Sequence, residues 1–439
     1  MTIFFVVALG GVLLVLQPFP ILHDYPEWMY QGHIVWALFF DTDLFASYFE
    51  LVPVPVPNAI SQVAIALLNI FVTPVMAGKI WLAVYLMLAL SVAIIGTRRH
   101  QLRGAKQVIF LITIAFGPGF FNGYINFQYG VLFFALFVIT DSQRSIVRLV
   151  LFSLLIYFSH ASVFAGFVIF VVLTELFGQR RIPAFFALLP TLILLLWYST
   201  VKLISDTGFN VSVDSLKQWI QYKAYTLAKQ GPFHNFIQPD GQSLLTDLHG
   251  IYLLGFVLNF IIVLLIGYWL LSLGYALLKR REILIHSDSR LAALIITAVV
   301  LFILYLFAGS NTFGVVNLGE RFLITALMLL LLLTRMPRWQ VAAWSVVCAA
   351  SGVVTLVSLF VLSQTIDSYS VDRSADSKEL SNFVGDIYSN SRHNYFNHRL
   401  FIYANLGQYL LNSDQFDEPP PIDHQSSIVR LRDDNKSHE

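Results

Sequence analysis

Asp24 and Glu27 stand three residues apart in "HDYPEW" (23–28), with His23 just before them and His33 a little further on. No lysine or arginine precedes Lys79, so the two acids have no cation near them in the chain. If the segment is helical, that spacing puts both carboxylates on one face. A carboxylate at such a place can accept a proton from a hydroxyl or orient it. Its pKa rises when it is half-buried, as expected for Asp24 after an apolar run and among Tyr25, Trp28 and Tyr30. The alternative is that Asp24 caps a helix whose first turn holds Pro26, and the two roles are compatible. Glu27 could hold an acceptor or help bind a divalent ion. Asp41 and Asp43, two apart in "FFDTDLF", are candidate hard-cation ligands, with solvated turn residues as the alternative. Glu50, before a proline run, is a candidate to face the same cavity, and His23 and His33 read as interfacial aromatics.

The elements that must position these residues are apolar. The chain has 439 residues, of which 57% are hydrophobic and 12% charged, and the mean hydropathy is +0.71. Soluble domains carry about 25% charged residues. A net charge of +1 gives no footing for nucleic acid. One cysteine, Cys348, excludes a disulfide framework and a thiolate metal site. The opening "MTIFFVVALGGVLLVLQPFPIL" lacks a basic start and a small-residue cleavage site, so it reads as a retained transmembrane helix.

Basic clusters at 98–106, 142–148, 178–181, 279–290 and 335–338 mark cytoplasmic loops. Pairs of apolar runs join them: 107–121 with 124–140, 147–159 with 161–177, 182–200 with 250–278, and 291–308 with 320–334. Residues 340–363 then leave the cytoplasm. Between the first helix and Arg98 the number of crossings must be odd, yet two apolar runs lie there, 58–73 and 80–96. The first has 16 residues, a helix of roughly 24 Å, short of the bilayer core. Its Gln62 and Asn69 lie on one face, so it reads as an amphipathic helix in the outer interface. The expectation is an all-α polytopic membrane protein of about 11 transmembrane helices, with interfacial helices in the first external loop. Residues 1–363 form the membrane domain, with external loops at 22–79 and 201–249. The tail 364–439 is external and disordered from about 413. In the alternative, 58–78 spans and one later hairpin is misread.

This order of features resembles the GT-C type integral-membrane glycosyltransferases, over about residues 1–335. A first helix is followed at once by an acid, Asp24 in "HDYPEW". A proline-rich entry, "ELVPVPVPN" (50–58), opens an interfacial helix. Lys79 in "PVMAGKIW" stands before a span ending in "GTRRH". The strings "NGYINFQYG" (122–130) and "SHASVF" (159–164) are similar to external hairpin turns of uncharacterised members. The tail is shorter than the folded external domain of many members. No WWDYG-like string is present, against an oligosaccharyltransferase, and the chain is shorter than the protein mannosyltransferases.

The resemblance implies a bacterial inner-membrane enzyme with a cytoplasmic N-terminus and an external C-terminus. It would move a sugar from a polyprenyl-phosphate carrier to an external glycan, lipid or protein acceptor. The lipid-linked donor is a substrate, no cofactor is certain, and a divalent cation is possible. Asp24 falls where the family's catalytic acid stands, and Glu27 is the second catalytic candidate. The leaving lipid phosphate needs positive charge at the outer interface. Glu50, Lys79, His160 and Arg321 are the substrate-binding candidates. For the last three the alternatives are a snorkelling anchor, a hydrogen-bonded turn histidine and an interfacial pair. Glu320 and Arg321, adjacent on a helix, should find separate partners. The helix expected at 214–230 would place Trp219, Tyr222 and Tyr225 at headgroup level or under a sugar ring. Two rival readings stay open. A polysaccharide polymerase or ligase would want more external arginines. A flippase or transporter would want ionisable groups at mid-membrane, where the spans are nearly free of them.

Overall fold

Unbroken apolar sequence at the start of the chain coils into α1 (Thr2–Gly11), which loosens into a π-helical turn over Val12–Leu16. The computed structural model describes residues 2–17, 20, 22, 24–40, 43–99, 101, 102, 104–140, 145–178, 183–204, 215–228, 230, 231, 250–279, 289–309, 311, 312, 315–333, 337–368 and 429–431. The segment after the π-helical turn holds α2 (Tyr25–Phe40), α3 (Asp43–Tyr48), β1 (Phe49–Leu51) and α4 (Ile60–Leu68). Then follow α5 (Pro74–Arg98), α6 (Ala105–Ile109) with a second π-helical turn at Phe110–Ala115, α7 (Pro118–Phe121) and α8 (Ile125–Thr140). Next come α9 (Ile146–Ser159), α10 (Ala161–Phe177), α11 (Pro183–Ile204), α12 (Leu216–Ala228) and α13 (Gly250–Lys279). The last helices are α14 (Ser289–Phe307), α15 (Leu318–Leu333) and α16 (Arg338–Ser368). β2 (Asn311–Thr312) and β3 (Val315–Val316) form a small hairpin before α15, and β4 (Val429–Leu431) pairs with β1.

Among the described residues, five helical stretches are long and apolar enough to cross a bilayer: Pro74–Arg98, Ala184–Val201, Val257–Tyr275, Arg290–Phe307 and Arg338–Val357. Shorter apolar stretches run at Phe5–Leu14, Lys106–Phe121, Ile125–Thr140, Ile146–Ser159 and Ala161–Phe177. Large apolar side chains at helical spacing face outward, such as Phe186, Leu189, Ile193 and Leu196 on α11, and Val257, Leu264 and Leu271 on α13. A surface like this is stable against lipid rather than water. The chain is therefore a helical membrane protein. α15 is the central element: it is buried along most of its length and packs on α14, α10 and α8.

Three local outcomes differ from the sequence expectation. α5 begins at Pro74, not near 80, because proline suits the first turn of a helix. Lys79 consequently lies inside the helix rather than before it. α4 is short, as expected, but its polar face points inward. Ser61 and Gln62 are fully buried, while Val63, Leu67, Ile70 and Phe71 are exposed. Hydrophobic periodicity identifies two faces without saying which meets lipid. Here the polar face has partners on α2 and α8, so the apolar one is left outward. Finally, Val429–Leu431 form a strand where disorder was expected. Leu51 stands opposite Val429, which is fully buried, and Glu50 stands opposite Arg430. The edge of β1 and the apolar alternation of "VRL" satisfy each other. The rest of the tail beyond Ser368 lies outside the described residues.

Candidate functional site

Two turns interlock at one end of the bundle. Asp24 precedes the first residue of α2 and accepts from the backbone N–H of Trp28 (3.4 Å), which puts it at the cap position. Its own N–H donates to the carbonyl of Asn122 (3.1 Å), and the Trp28 indole donates to the carbonyl of Gly123 (3.0 Å). Gly123 has φ +74°, and a Cβ there would lie 2.4 Å from the Asp24 nitrogen. Only glycine permits both that backbone and that approach. The "NGY" string (122–124) is thus the seat of Asp24, which is 2% exposed.

Tyr124, next in that string, carries Arg321. The guanidinium carbon lies 4.7 Å from the centre of the phenol ring. The Tyr124 hydroxyl is held well above its usual pKa, first by burial and then by the charge of Asp24. Glu320 adds to the rise, while Arg321 and a hydrogen bond from Asn317 oppose it. Asp24, Glu320 and Arg321 therefore all act on one phenol. The acids are not kept apart from every base, as their chain positions imply; α15 brings Arg321 to them.

His160 completes the group. It ends α9 and caps α10 with an extended backbone, φ −167° and ψ 128°. Its Nε2 lies 2.7 Å from Arg321 Nη1, and its Nδ1 faces the backbone nitrogen of Ser162 (3.2 Å) and Ser162 Oγ (2.8 Å). The ring packs edge-on against Phe127. Burial, reinforced by the charge of Arg321, holds its pKa well below the usual imidazole value. His160 is neutral at neutral pH.

Glu320, next to Arg321 in the chain, is fully buried, and burial first, then the Glu320 charge, raises the pKa of the Tyr222 phenol. Lys223, beside it on α12, is buried under Tyr222 and Tyr305, with its Nζ 4.9 and 4.4 Å from their ring centres. It donates to the carbonyls of Tyr305 and Ala308 (2.5 Å to the latter). The Trp219 indole donates to the Leu306 carbonyl (2.8 Å), so α12 is pinned to the C-terminal end of α14.

The other expected residues lie elsewhere. Glu27 is buried and begins a chain of side-chain hydrogen bonds that runs to α8. Gln31 donates to it (2.9 Å), Gln62 donates to Gln31 (3.2 Å), and Asn126 donates to Gln62 (3.0 Å). Asn126 also accepts from the Ser61 N–H (2.8 Å), so the chain ties α2, α4 and α8 together. Lys79 donates to the carbonyl of Gln17 (2.9 Å) at the end of the first helix. Glu50 sits in β1, paired with β4. His33 stacks on Trp36 and meets Phe45 edge-on, an aromatic as expected. His23 and Asp41 lie outside the described residues, as does the side chain of Asp43. No cluster of three metal-ligating side chains occurs among the described residues. The sequence reading passed over Tyr124, Ser162 and Lys223 as site residues; "NGYINF" and "SHAS" stood out only as turns.

A cationic group on an aromatic face beside a buried carboxylate can bind an anion and, next to it, a hydroxyl. Comparison with family models, curated proteins and solved structures returns no match.

Proposed function

We propose that the chain is a polytopic membrane glycosyltransferase of GT-C type, moving a sugar from a polyprenyl-phosphate carrier to an external glycan, lipid or protein acceptor. The observation that carries this reading is that Asp24 is seated on the turn 122–124, whose Tyr124 holds Arg321 on its ring. In the reaction the acceptor oxygen attacks the anomeric carbon as the bond to the lipid phosphate breaks. Arg321 receives the phosphate, whose charge grows as the bond breaks. Asp24 receives or orients the acceptor hydroxyl's proton. Glu27 serves by holding α2 to α4 rather than by touching substrate. Lys79 lies one turn into α5, where it steadies the entry to the Asp24 turn.

The eleven-crossing topology belongs to the same proposal, with α1, α5, α6 to α7, α8, α9, α10, α11, α13, α14, α15 and α16 as the spans. The pairing of β1 with β4 supports it. Paired strands lie on one side of the membrane, which requires an even number of crossings between residues 51 and 429, and this assignment has ten. A cytoplasmic N-terminus follows if the basic loops lie inside, and the bacterial inner membrane is part of the same proposal. A polymerase or ligase would share the phosphate site. A flippase is disfavoured because the assigned spans carry almost no ionisable groups away from their ends. Sugar transfer from polyprenyl-phosphate sugars by the purified protein in proteoliposomes tests the proposal.

A further inference from the structure

We propose that the Ser162 hydroxyl fixes the tautomer of His160, so that His160 acts as a positioning residue, presenting a bare Nε2 lone pair to Arg321. The inference rests on the reading of Arg321 as the phosphate ligand, but its first test does not. Arginine can only donate, so Nε2, 2.7 Å from Arg321 Nη1, must accept. A neutral imidazole then carries its proton on Nδ1. Nδ1 faces two groups of Ser162, the backbone N–H at 3.2 Å and Oγ at 2.8 Å. The N–H can only donate, and alone it would favour a bare Nδ1 and a proton on Nε2, turning a donor toward Arg321. The hydroxyl at the shorter distance accepts the Nδ1 proton and decides the tautomer. Its own hydrogen is then free to rotate away.

The arrangement differs from a nucleophilic serine–histidine pair. A base that takes the serine proton becomes a cation, here 2.7 Å from a guanidinium. Held instead by a neutral acceptor, Arg321 keeps its whole charge for a ligand. Among the described residues the imidazole meets Phe127 on α8, Ser162 on α10 and Arg321 on α15, and Arg321 in turn lies on Tyr124.

The test is arginine labelling by phenylglyoxal in the full-length protein in nanodiscs, with the rate at Arg321 read by mass spectrometry. Ser162→Ala should label about tenfold faster than the unmutated chain, the factor a lost charge-assisted hydrogen bond supports. His160→Leu should do the same. His160→Gln, which can offer an amide oxygen, should label at the unmutated rate. An unmutated rate in Ser162→Ala overturns the tautomer assignment. An unmutated rate in His160→Leu, or a fast rate in His160→Gln, overturns the positioning role. If His160→Leu does not fold, Ser162→Ala and His160→Gln decide alone. A second arm adds a polyprenyl-phosphate-glucose phosphodiester before labelling. Protection of Arg321 supports the phosphate site. Absence of protection, with the variant pattern intact, removes the transferase reading and leaves the positioning role standing.

Discussion

Arg321 Nη1 and His160 Nε2 meet at 2.7 Å across 161 residues of chain. Each comes from the end of a helix, and each is partly or wholly out of solvent. A neutral acceptor and an aromatic face are the surroundings that keep a guanidinium fixed without cancelling its charge.

The first expectation concerns pH. The folded protein holds the pKa of His160 well below its ordinary value of 6.5, whereas the unfolded chain protonates near that value. As pH falls below about 6.5 the unfolded state binds the proton first, so stability falls; above it this contribution is complete. Thermal unfolding of the protein in nanodiscs should show a lower Tm toward acid. In His160→Gln this part of the slope should disappear. An identical slope in both proteins would mean that His160 titrates normally.

The second concerns the seat of Asp24. Gly123→Ala must place a Cβ 2.4 Å from the Asp24 nitrogen and 2.5 Å from that of Tyr25, at φ +74°. The strained backbone alone costs about 1–3 kcal/mol, and the Asp24 turn must also move. Both the unfolding midpoint and transfer should fall. Gly267→Ala is the control, since nothing lies within 4 Å of its Cβ position. Equal behaviour of the two variants would contradict the interlocked turns.

How much of this was legible in sequence depends on the kind of signal. Asp24, His160 and Arg321 were placed at helix ends because each adjoins an apolar run, and helix ends on one side of a bundle are forced into one layer. Which members of the layer meet was not legible. Lys79 has the same chain signature as Arg321, yet the early start of α5 at Pro74 turns it to Gln17. Glu27 lies in the first turn of the helix that Asp24 precedes, but Gln31, Gln62 and Asn126 offer it a route inward. Tyr124 was missed because a tyrosine in an apolar chain carries no signal until a cation lies on its ring.

The third expectation is topological. A periplasmic reporter fused after Gln364 should be active, and one fused after Arg99 silent. Activity at both points would contradict the eleven-crossing assignment. So would silence after Gln364, since β1 and β4 require one side for both.

The division of labour between Asp24 and Arg321 is the central claim, and the measurement that tests it is sugar transfer assayed beside donor-lipid binding in proteoliposomes. Asp24→Asn keeps the shape but removes the charge and the base, so turnover should fall about 10²–10⁴-fold with donor binding retained. Arg321→Ala should lose donor binding. An acceptor that is itself a phosphate arrives ionised, and Asp24 then contributes positioning alone, so the assay uses a hydroxyl acceptor. Transfer at the unmutated rate by Asp24→Asn, or unmutated donor binding by Arg321→Ala, would contradict the account.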